Sequence, residues 1–474
     1  MSKDFIGREN HEDESAGLES RTVSRREFLK VAGVAGAALG VSGGLAGFLA
    51  ACGSGTTTTT AGGATTTAGA VTTVSAGGDT TPWTIGGVAD VTGPLATIGV
   101  DLKDGFDLEI EKLNAEGGVK GHPIKVIWED SAGDPQKSTA AFTKLTTQDK
   151  VPFLTGPAAS TTDAQAMVIA ERAQIPVVMF APDDTMWRKQ FWKFTYNLVA
   201  PGPVQGQAIF ALCKKNNVNA LTLLTDVEQF FIDGGEYCTY AADAWGIKLD
   251  LLPDQIVPGA LDMTALATKI KSSIAKNGSK AVGMLYIGAD GLTCIRAMKK
   301  VGITNTGPNG VFFFGEPAFG QSQLLDAANG DMDGVQFCCD SPIVCDQLPD
   351  SEPMKARLVD MKQRFEKKTG RYFSGIAAHM FVVTDFVKGA LGDVGLDPLK
   401  IQNWLDTNVT NFVGSEGIIT YTPTDHAGLK LNSYRGIEVV KNKYTLKDLD
   451  ISVYQPKDLP AELSDPGFGA YVKK

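Results

Sequence analysis

Beyond residue 83 the apolar positions of this 474-residue chain alternate between two periods. Residues 84–89 make a short apolar run of strand length. Leu102, Phe106, Ile110 and Leu113 then recur at spacings of four, four and three, one face of a helix that Gly117 and Gly118 end. The same alternation predicts strand 124–128, helix 137–148, strand 151–154, helix 162–173 with Thr162 and Gln165 at capping-box spacing, and strand 175–180. A second series follows Pro201-Gly202-Pro203. It predicts helix 204–214, strand 221–224, helix 235–245, strand 247–251, helix 261–275, strand 282–286, helix 292–301 and strand 311–314. Such alternation implies parallel sheets covered on both faces, so an α/β architecture of two Rossmann-like lobes is expected. Ligands of open α/β sheets sit outside the carboxyl ends of the strands. The candidate positions are therefore 90–94, 156–162 and 181–185 in the first lobe, and 225–231, 287–290 and 315–319 in the second.

The first fifty-odd residues follow neither period. A basic run, Ser24-Arg25-Arg26-Glu27-Phe28-Leu29-Lys30, precedes an uncharged segment, 31–51, that stops at Cys52. This is the build of an export signal rather than of a folded element. Arg25 and Arg26 with Phe28 and Leu29 resemble bacterial twin-arginine signals, and Ala50 and Ala51 before Cys52 resemble a lipobox. The resemblance implies a signal over 1–52 and a lipid on Cys52. An uncleaved anchor is the alternative, since about 20 residues suffice to span a bilayer, but the segment is Gly-rich and weakly apolar. Residues 53–82 are almost entirely Gly, Ser, Thr and Ala, with five consecutive threonines at 56–60. They hold too little apolar surface to offset the entropy of ordering, and a flexible linker is expected.

The body is long enough for two domains of ordinary size, and 43% hydrophobic content supports proper cores. A net charge of -10 argues against nucleic acid as a partner. The first strand-helix turn offers only Gly93 and Gly99 after Gly86-Gly87, so the dinucleotide pattern G-x-G-x-x-G is missing, as are a P-loop and a G-x-S-x-G elbow. The four histidines, His11, His122, His379 and His426, are scattered, and no C-x-x-C pair occurs. No metal, no cofactor and no enzymatic activity are expected. Besides Cys52, six cysteines remain: Cys213, Cys238, Cys294, Cys338, Cys339 and Cys345. A short disulfide loop from Cys338 or Cys339 to Cys345 and buried free thiols are both open.

Several blocks together resemble one family. They are Asp90-Val91-Thr92-Gly93-Pro94-Leu95-Ala96, Leu113-Asn114-Ala115-Glu116-Gly117-Gly118-Val119-Lys120-Gly121, Glu129-Asp130 with Asp134-Pro135, and Gly156 with Ser160. These are similar to the leucine/isoleucine/valine-binding proteins, type I periplasmic substrate-binding proteins of ABC importers. The resemblance implies a chain that crosses between its lobes three times: lobe one from 83–201 and 341–430, lobe two from 202–340 and 431–474. It also implies a monomer outside the cytoplasm that holds a small polar solute in an inter-lobe cleft. An ABC permease and its ATPase would be partners, and the N-terminal lipid would contact the membrane. By the same resemblance Ser160 and Thr161, with the turn that holds Asp184 and Thr185, clamp a ligand carboxylate. Glu316 pairs with an α-ammonium, and Phe230 and Tyr286 add aromatic wall. The chain departs from the family at Asp183-Asp184, where a small or apolar pair is usual, and at Phe230-Phe231, where Tyr-Gly is common. A ligand-sensing lobe pair of a signalling system would share all these features. Replacing Cys52 by Ala is expected to move the protein from the membrane fraction to the soluble one; a mutant that stays in the membrane contradicts the lipid anchor.

Overall fold

The computed structural model describes residues 79–467, apart from 94, 158–159, 182, 254–258, 287, 306 and 308–309. Arg25, Arg26, Cys52 and nearly all of the expected linker lie outside the described residues. Strand β1 (Trp83–Ala89) starts the body and leads to helix α1 (Ala96–Ala115). Its predicted face is the buried one: Leu102, Phe106, Ile110 and Leu113 are at most 5% exposed. The turn after α1 shows why the Asn-x-x-Gly-Gly block has its composition. The Asn114 side chain both donates to the carbonyl of Ile124 and accepts from its amide, at 2.9 and 2.7 Å, clamping the helix end to the next strand. Gly118 has φ +71°, and a Cβ there would sit 2.2 Å from the His122 carbonyl oxygen, so only glycine fits.

Strands β2 (Ile124–Asp130), β3 (Leu154–Thr155), β4 (Val177–Met179) and β5 (Thr195–Asn197) complete a sheet of order β2-β1-β3-β4-β5, parallel throughout. Helices α2 (Pro135–Thr147), α3 (Ser160–Ala173) and the short α4 (Asp184–Lys189) connect them. The periodicity reading missed α4 and β5, because β5 is three residues of mixed character. Helix α3 begins two residues before the expected start, so Thr162 lies within its first turn and is not the N-cap of a capping box.

The second sheet has the order β15-β14-β10-β9-β8-β6-β7. Its parallel part alternates α5 (Gly202–Lys215), β6 (Ala220–Thr225), α6 (Gln229–Ala241), β7 (Lys248–Leu251), α7 (Thr264–Asn277), β8 (Ala281–Leu285), α8 (Gly288–Lys300), β9 (Phe312–Gly315), α9 (Ser322–Ala328) and β10 (Gln336–Cys339). Helix α6 starts at Gln229 rather than 235 because Gly234 and Gly235 sit inside it instead of breaking it. The reason is close helix packing: a Cβ on Gly206 of α5 would meet the Gly234 carbonyl oxygen at 2.2 Å.

The chain then leaves this sheet. Helices α10 (Lys355–Thr369), α11 (Gly375–Val394) and α12 (Pro398–Asn408) and a small antiparallel sheet, β11 (Phe412–Val413), β12 (Ile418–Thr422) and β13 (Asp425–Gly428), return to the first lobe. Helix α11 packs along α1 closely enough that a Cβ on Gly105 would meet the Ala377 carbonyl oxygen at 2.6 Å. Arg371 adds ion pairs from this segment to Asp101 and Asp104 of α1, at 3.0 and 2.6 Å. Strands β14 (Arg435–Val439) and β15 (Tyr444–Asp448) finally rejoin the second sheet, antiparallel to it. That sheet is therefore mixed rather than wholly parallel as expected. All six cysteines of the body are buried free thiols, so no disulfide occurs among the described residues. None of the described helices is long and apolar enough to cross a membrane.

Each fully buried Phe or Leu on α11 contributes about 1.5–3 kcal/mol, whereas the partly exposed ion pairs contribute about 0–1 kcal/mol each. Apolar burial therefore holds α11 in place. Phe386 is 0% exposed and meets Phe412 and Tyr421 edge-on at 5.1 and 6.1 Å between centroids. Phe386→Ala is expected to cost about 3–5 kcal/mol in urea unfolding; a loss below 1 kcal/mol would mean that α11 is not part of this core.

Candidate ligand-binding site

The carboxyl ends of the strands carry an unusual share of buried acid. After β1, Asp90 is 1% exposed; its Oδ1 accepts from Ser131 Oγ and, at 2.9 Å, from the Gly133 amide. Thr92 donates its hydroxyl to Asp130 at 2.6 Å. The acidic residues of the two motif blocks thus tie the loop after β1 to the loop after β2 and shape one wall of the candidate cleft. The loop after β3 ends in α3, whose first turn holds Ser160 and Thr161. Their side chains lie outside the described residues.

After β4 the Asp183-Asp184 pair is accounted for locally. Asp183 caps α4, accepting from the Thr185 amide and hydroxyl at 2.8 and 2.5 Å, so the Thr185 hydroxyl is already engaged. Asp184 is 0% exposed and accepts two bonds from Arg188, at 2.9 and 2.6 Å. The contact then passes to the other lobe. The Asp184 amide donates to Asp233 Oδ2 of α6 at 3.0 Å, and Arg188 donates to Glu236 Oε2 at 2.7 Å. Gln229, one turn before Asp233, donates to its Oδ1 at 2.8 Å. Phe230 begins the same helix, half-buried against Phe231 at 5.0 Å between ring centroids. The structure therefore brings Asp184, Thr185 and Phe230 into one neighbourhood spanning both lobes. Burial, and then the neighbouring Asp184, push the Asp233 carboxyl up to about 9; burial raises Asp184 as well. Each carboxyl therefore holds its proton more tightly than an ordinary aspartate does.

The other expected residues gather within lobe two. Glu316, just after β9, is 3% exposed and accepts from the Ala318 amide at 2.9 Å, capping a short 3-10 turn. Burial, reinforced by Asp226, holds its carboxyl well above the usual range. Tyr286, after β8, is 0% exposed within the apolar cluster formed by Met263, Leu292 and Phe319. Phe319 and Trp187 are likewise core residues, 0% and 8% exposed. Tyr434 and Gln205, hydrogen-bonded to each other at the crossings between lobes, were not anticipated. Nor were Arg188, Asp233 and Glu236. Only Arg188 left a sequence signal, its spacing of four from Asp184 on one helix face.

Two α/β lobes joined by three crossings, with polar residues converging at the strand ends, define the architecture of a bilobal binding protein. The chain belongs to the periplasmic binding protein family, whose model matches residues 82–441. Among curated relatives, Leu/Ile/Val-binding protein BraC3 of Rhizobium johnstonii is 28% identical over 40% of this chain and 51% of its own length. The match to a Brucella melitensis homologue covers 52% of that protein, so the chain spans about half the length of these two relatives. A leucine-, isoleucine-, valine-, threonine- and alanine-binding protein of Pseudomonas aeruginosa is 24% identical over 77% of this chain and 87% of its own. Among solved structures, the Streptococcus pneumoniae branched-chain amino acid transporter substrate-binding protein LivJ, in complex with isoleucine, has a TM-score of 0.64 at 20% identity. It covers 78% of this chain and 99% of its own. A Rhodopseudomonas palustris solute-binding protein in complex with benzoate has a TM-score of 0.63 at 16% identity, over 77% and 96%.

The Asp184-Asp233 contact has a definite pH sign. Unfolded, Asp233 loses its proton near pH 4, roughly the ordinary aspartate value; folded, it keeps that proton to about 9. The pair's contribution to stability is thus greatest at and below about pH 4 and falls as pH rises through this window. Asp183, Arg188 and Glu236 are the other charged groups facing it, and Arg188 moderates the fall. Asp233→Asn keeps an acceptor for the Asp184 amide and is expected to flatten the decline in melting temperature between pH 5 and 9. An unchanged slope would show that Asp233 holds its proton no more tightly than an ordinary aspartate.

Proposed function

We propose that this chain is an extracytoplasmic solute-binding lipoprotein of an ABC importer. It captures a small polar solute, a branched-chain or other amino acid or an amide, between its lobes and hands it to a membrane permease driven by a separate ATPase. The observation that carries this reading is Glu316, a buried carboxyl at the end of a central strand of lobe two. A carboxyl in apolar surroundings pairs strongly with a desolvated ammonium. In this proposal Ser160 and Thr161, in the first turn of α3 where the helix start favours an anion, receive the carboxylate end, and Thr185 joins them by exchanging its bond to Asp183 for the ligand. Asp184 and Phe230 line the side where the lobes meet, and Tyr286 backs the wall beneath. The names of the curated relatives support an amino acid; the benzoate-bound neighbour shows that the same fold accommodates other acids.

Capture needs no covalent step. Contacts incomplete with the lobes apart become complete around the ligand, so binding shifts the population toward closure, and the closed form is what a permease recognises. The protein works as a monomer, exported by the twin-arginine route and held near its permease by the lipid on Cys52.

A thermal-shift screen of the purified chain against amino acids, amides and aromatic acids tests the reading. A ligand at a hundred times its Kd adds about 2.7 kcal/mol. Glu316→Gln keeps the cap on Ala318 and is expected to weaken an amine-bearing ligand roughly tenfold or more, about 1.4 kcal/mol, without lowering the melting temperature of the empty protein. Burial raises the hold of Glu316 on its proton, which ammonium binding works against, so affinity for an amine-bearing ligand should rise with pH. A Kd unchanged by the substitution would place Glu316 outside the site.

A further inference from the structure

Asp340, His379 and Glu416 come from three distant parts of the chain: the end of β10, the start of α11 and the turn between β11 and β12. One potential ligand atom from each lies within 4.8 Å of the other two; His379 and Glu416 are buried and Asp340 is 13% exposed. His379 Nδ1 is 2.6 Å from the Gly375 carbonyl oxygen, an acceptor only, so the ring proton belongs on Nδ1 and the lone pair on Nε2. That Nε2 lies 3.9 Å from Asp340 Oδ2. The Nε2 lone pair therefore faces an Asp340 carboxyl oxygen across that gap. Glu416 Oε1 is 3.0 Å from Nδ1, yet it is buried and accepts no hydrogen bond, since the Nδ1 proton is directed at Gly375.

The remaining polar atoms are anchored. Ser415 Oγ donates to Glu416 Oε2, and the Cys339 thiol donates to Asp340 Oδ1 at 3.1 Å. Outer partners that fix ligand orientation in this way, with a histidine's second nitrogen on a backbone carbonyl, are the usual support of metal-binding side chains. Arg435, the cation close by, has its guanidinium 3.8 Å from Glu352 instead.

We infer that Asp340, His379 and Glu416 together bind one divalent transition-metal ion, with Zn²⁺ the best match to one imidazole and two carboxylates. Asp340 leaves the second sheet, whereas His379 and Glu416 belong to the segment packed on the first lobe, so the ion ties a crossing segment to lobe one. Sequence separations of 39 and 37 residues hide the set from any spacing motif.

The test uses the full, untagged chain, stripped with a chelator and dialysed against micromolar Zn²⁺ with no solute present; the readouts are bound metal and melting temperature. One ion per chain and a raised melting temperature are expected. His379→Gln and Glu416→Gln should each weaken binding by roughly 10–100-fold or more. Asp340→Asn, at a site 13% exposed and so more tolerant of change, provides a third variant should either of these fail to fold. His122→Ala, where the ring stacks on Trp83 far along the chain, should bind as the wild type does. The assignment is overturned if wild type binds no ion, if the three ligand variants bind as tightly as wild type, or if His122→Ala alone abolishes binding.

Discussion

The packing of α11 against α1 is the contact on which the rest of the architecture depends. The first lobe is assembled from two stretches of chain separated by most of the second lobe, and this helix pair joins them. A long apolar face on α11, with Phe381, Val382, Phe386 and Leu391 at most 1% exposed, meets the face of α1 marked by Leu102 and Phe106. Close approach at Gly105 and Ala377 leaves no room for water between them. Once the pair is docked, the direction of every crossing is set: the chain must leave lobe one after β5, come back after β10 and leave again before β14. Asn197 locks one of these passages, donating to the Ala427 carbonyl at 2.9 Å while accepting from the Ala181 amide at the same distance.

Acid placed at the strand ends is the second organising constraint. Burying an isolated carboxylate costs several kcal/mol unless it is paired or neutralised. The chain meets this cost differently at each position. Asp90 is supplied with a hydroxyl and a backbone amide, Asp184 with a two-pronged arginine, and Asp233 with the Gln229 side chain and an amide from the opposite lobe. Glu316 has a single backbone donor and a raised affinity for its proton. This gradation separates carboxyls held by several donors from one held by a single backbone amide.

Much of the fold was legible because α1, β6 and β8 carry strong periodic signals that burial later repeats residue by residue. What escaped had physical reasons. Strand β5 has three residues and no repeat of its own; β14 and β15 reverse direction only because α10 to β13 displace the chain to the other lobe. Helix α6 was shortened on paper by Gly234 and Gly235, which serve as a contact surface for α5. Of the candidate residues, the place of Glu316 just after a strand was legible. Asp233 and Glu236 were not, since their role exists only when two lobes meet. Tyr286 looked like wall from its position and is core by burial, because the strand end it occupies is roofed by α8 and Phe319.

The separation of α1 from α11 has a temporal side. About 260 residues lie between Ala115 and Gly375, and at roughly 5–20 residues per second a ribosome takes on the order of tens of seconds to deliver them. During that interval the apolar face of α1 is finished and has no mate. Lobe two can complete its central strands while lobe one still waits for its last helices. A nascent chain of this layout therefore carries a finished sheet with an uncovered helix face for most of its synthesis, and since β14 and β15 come last of all, neither lobe is complete until the other nearly is.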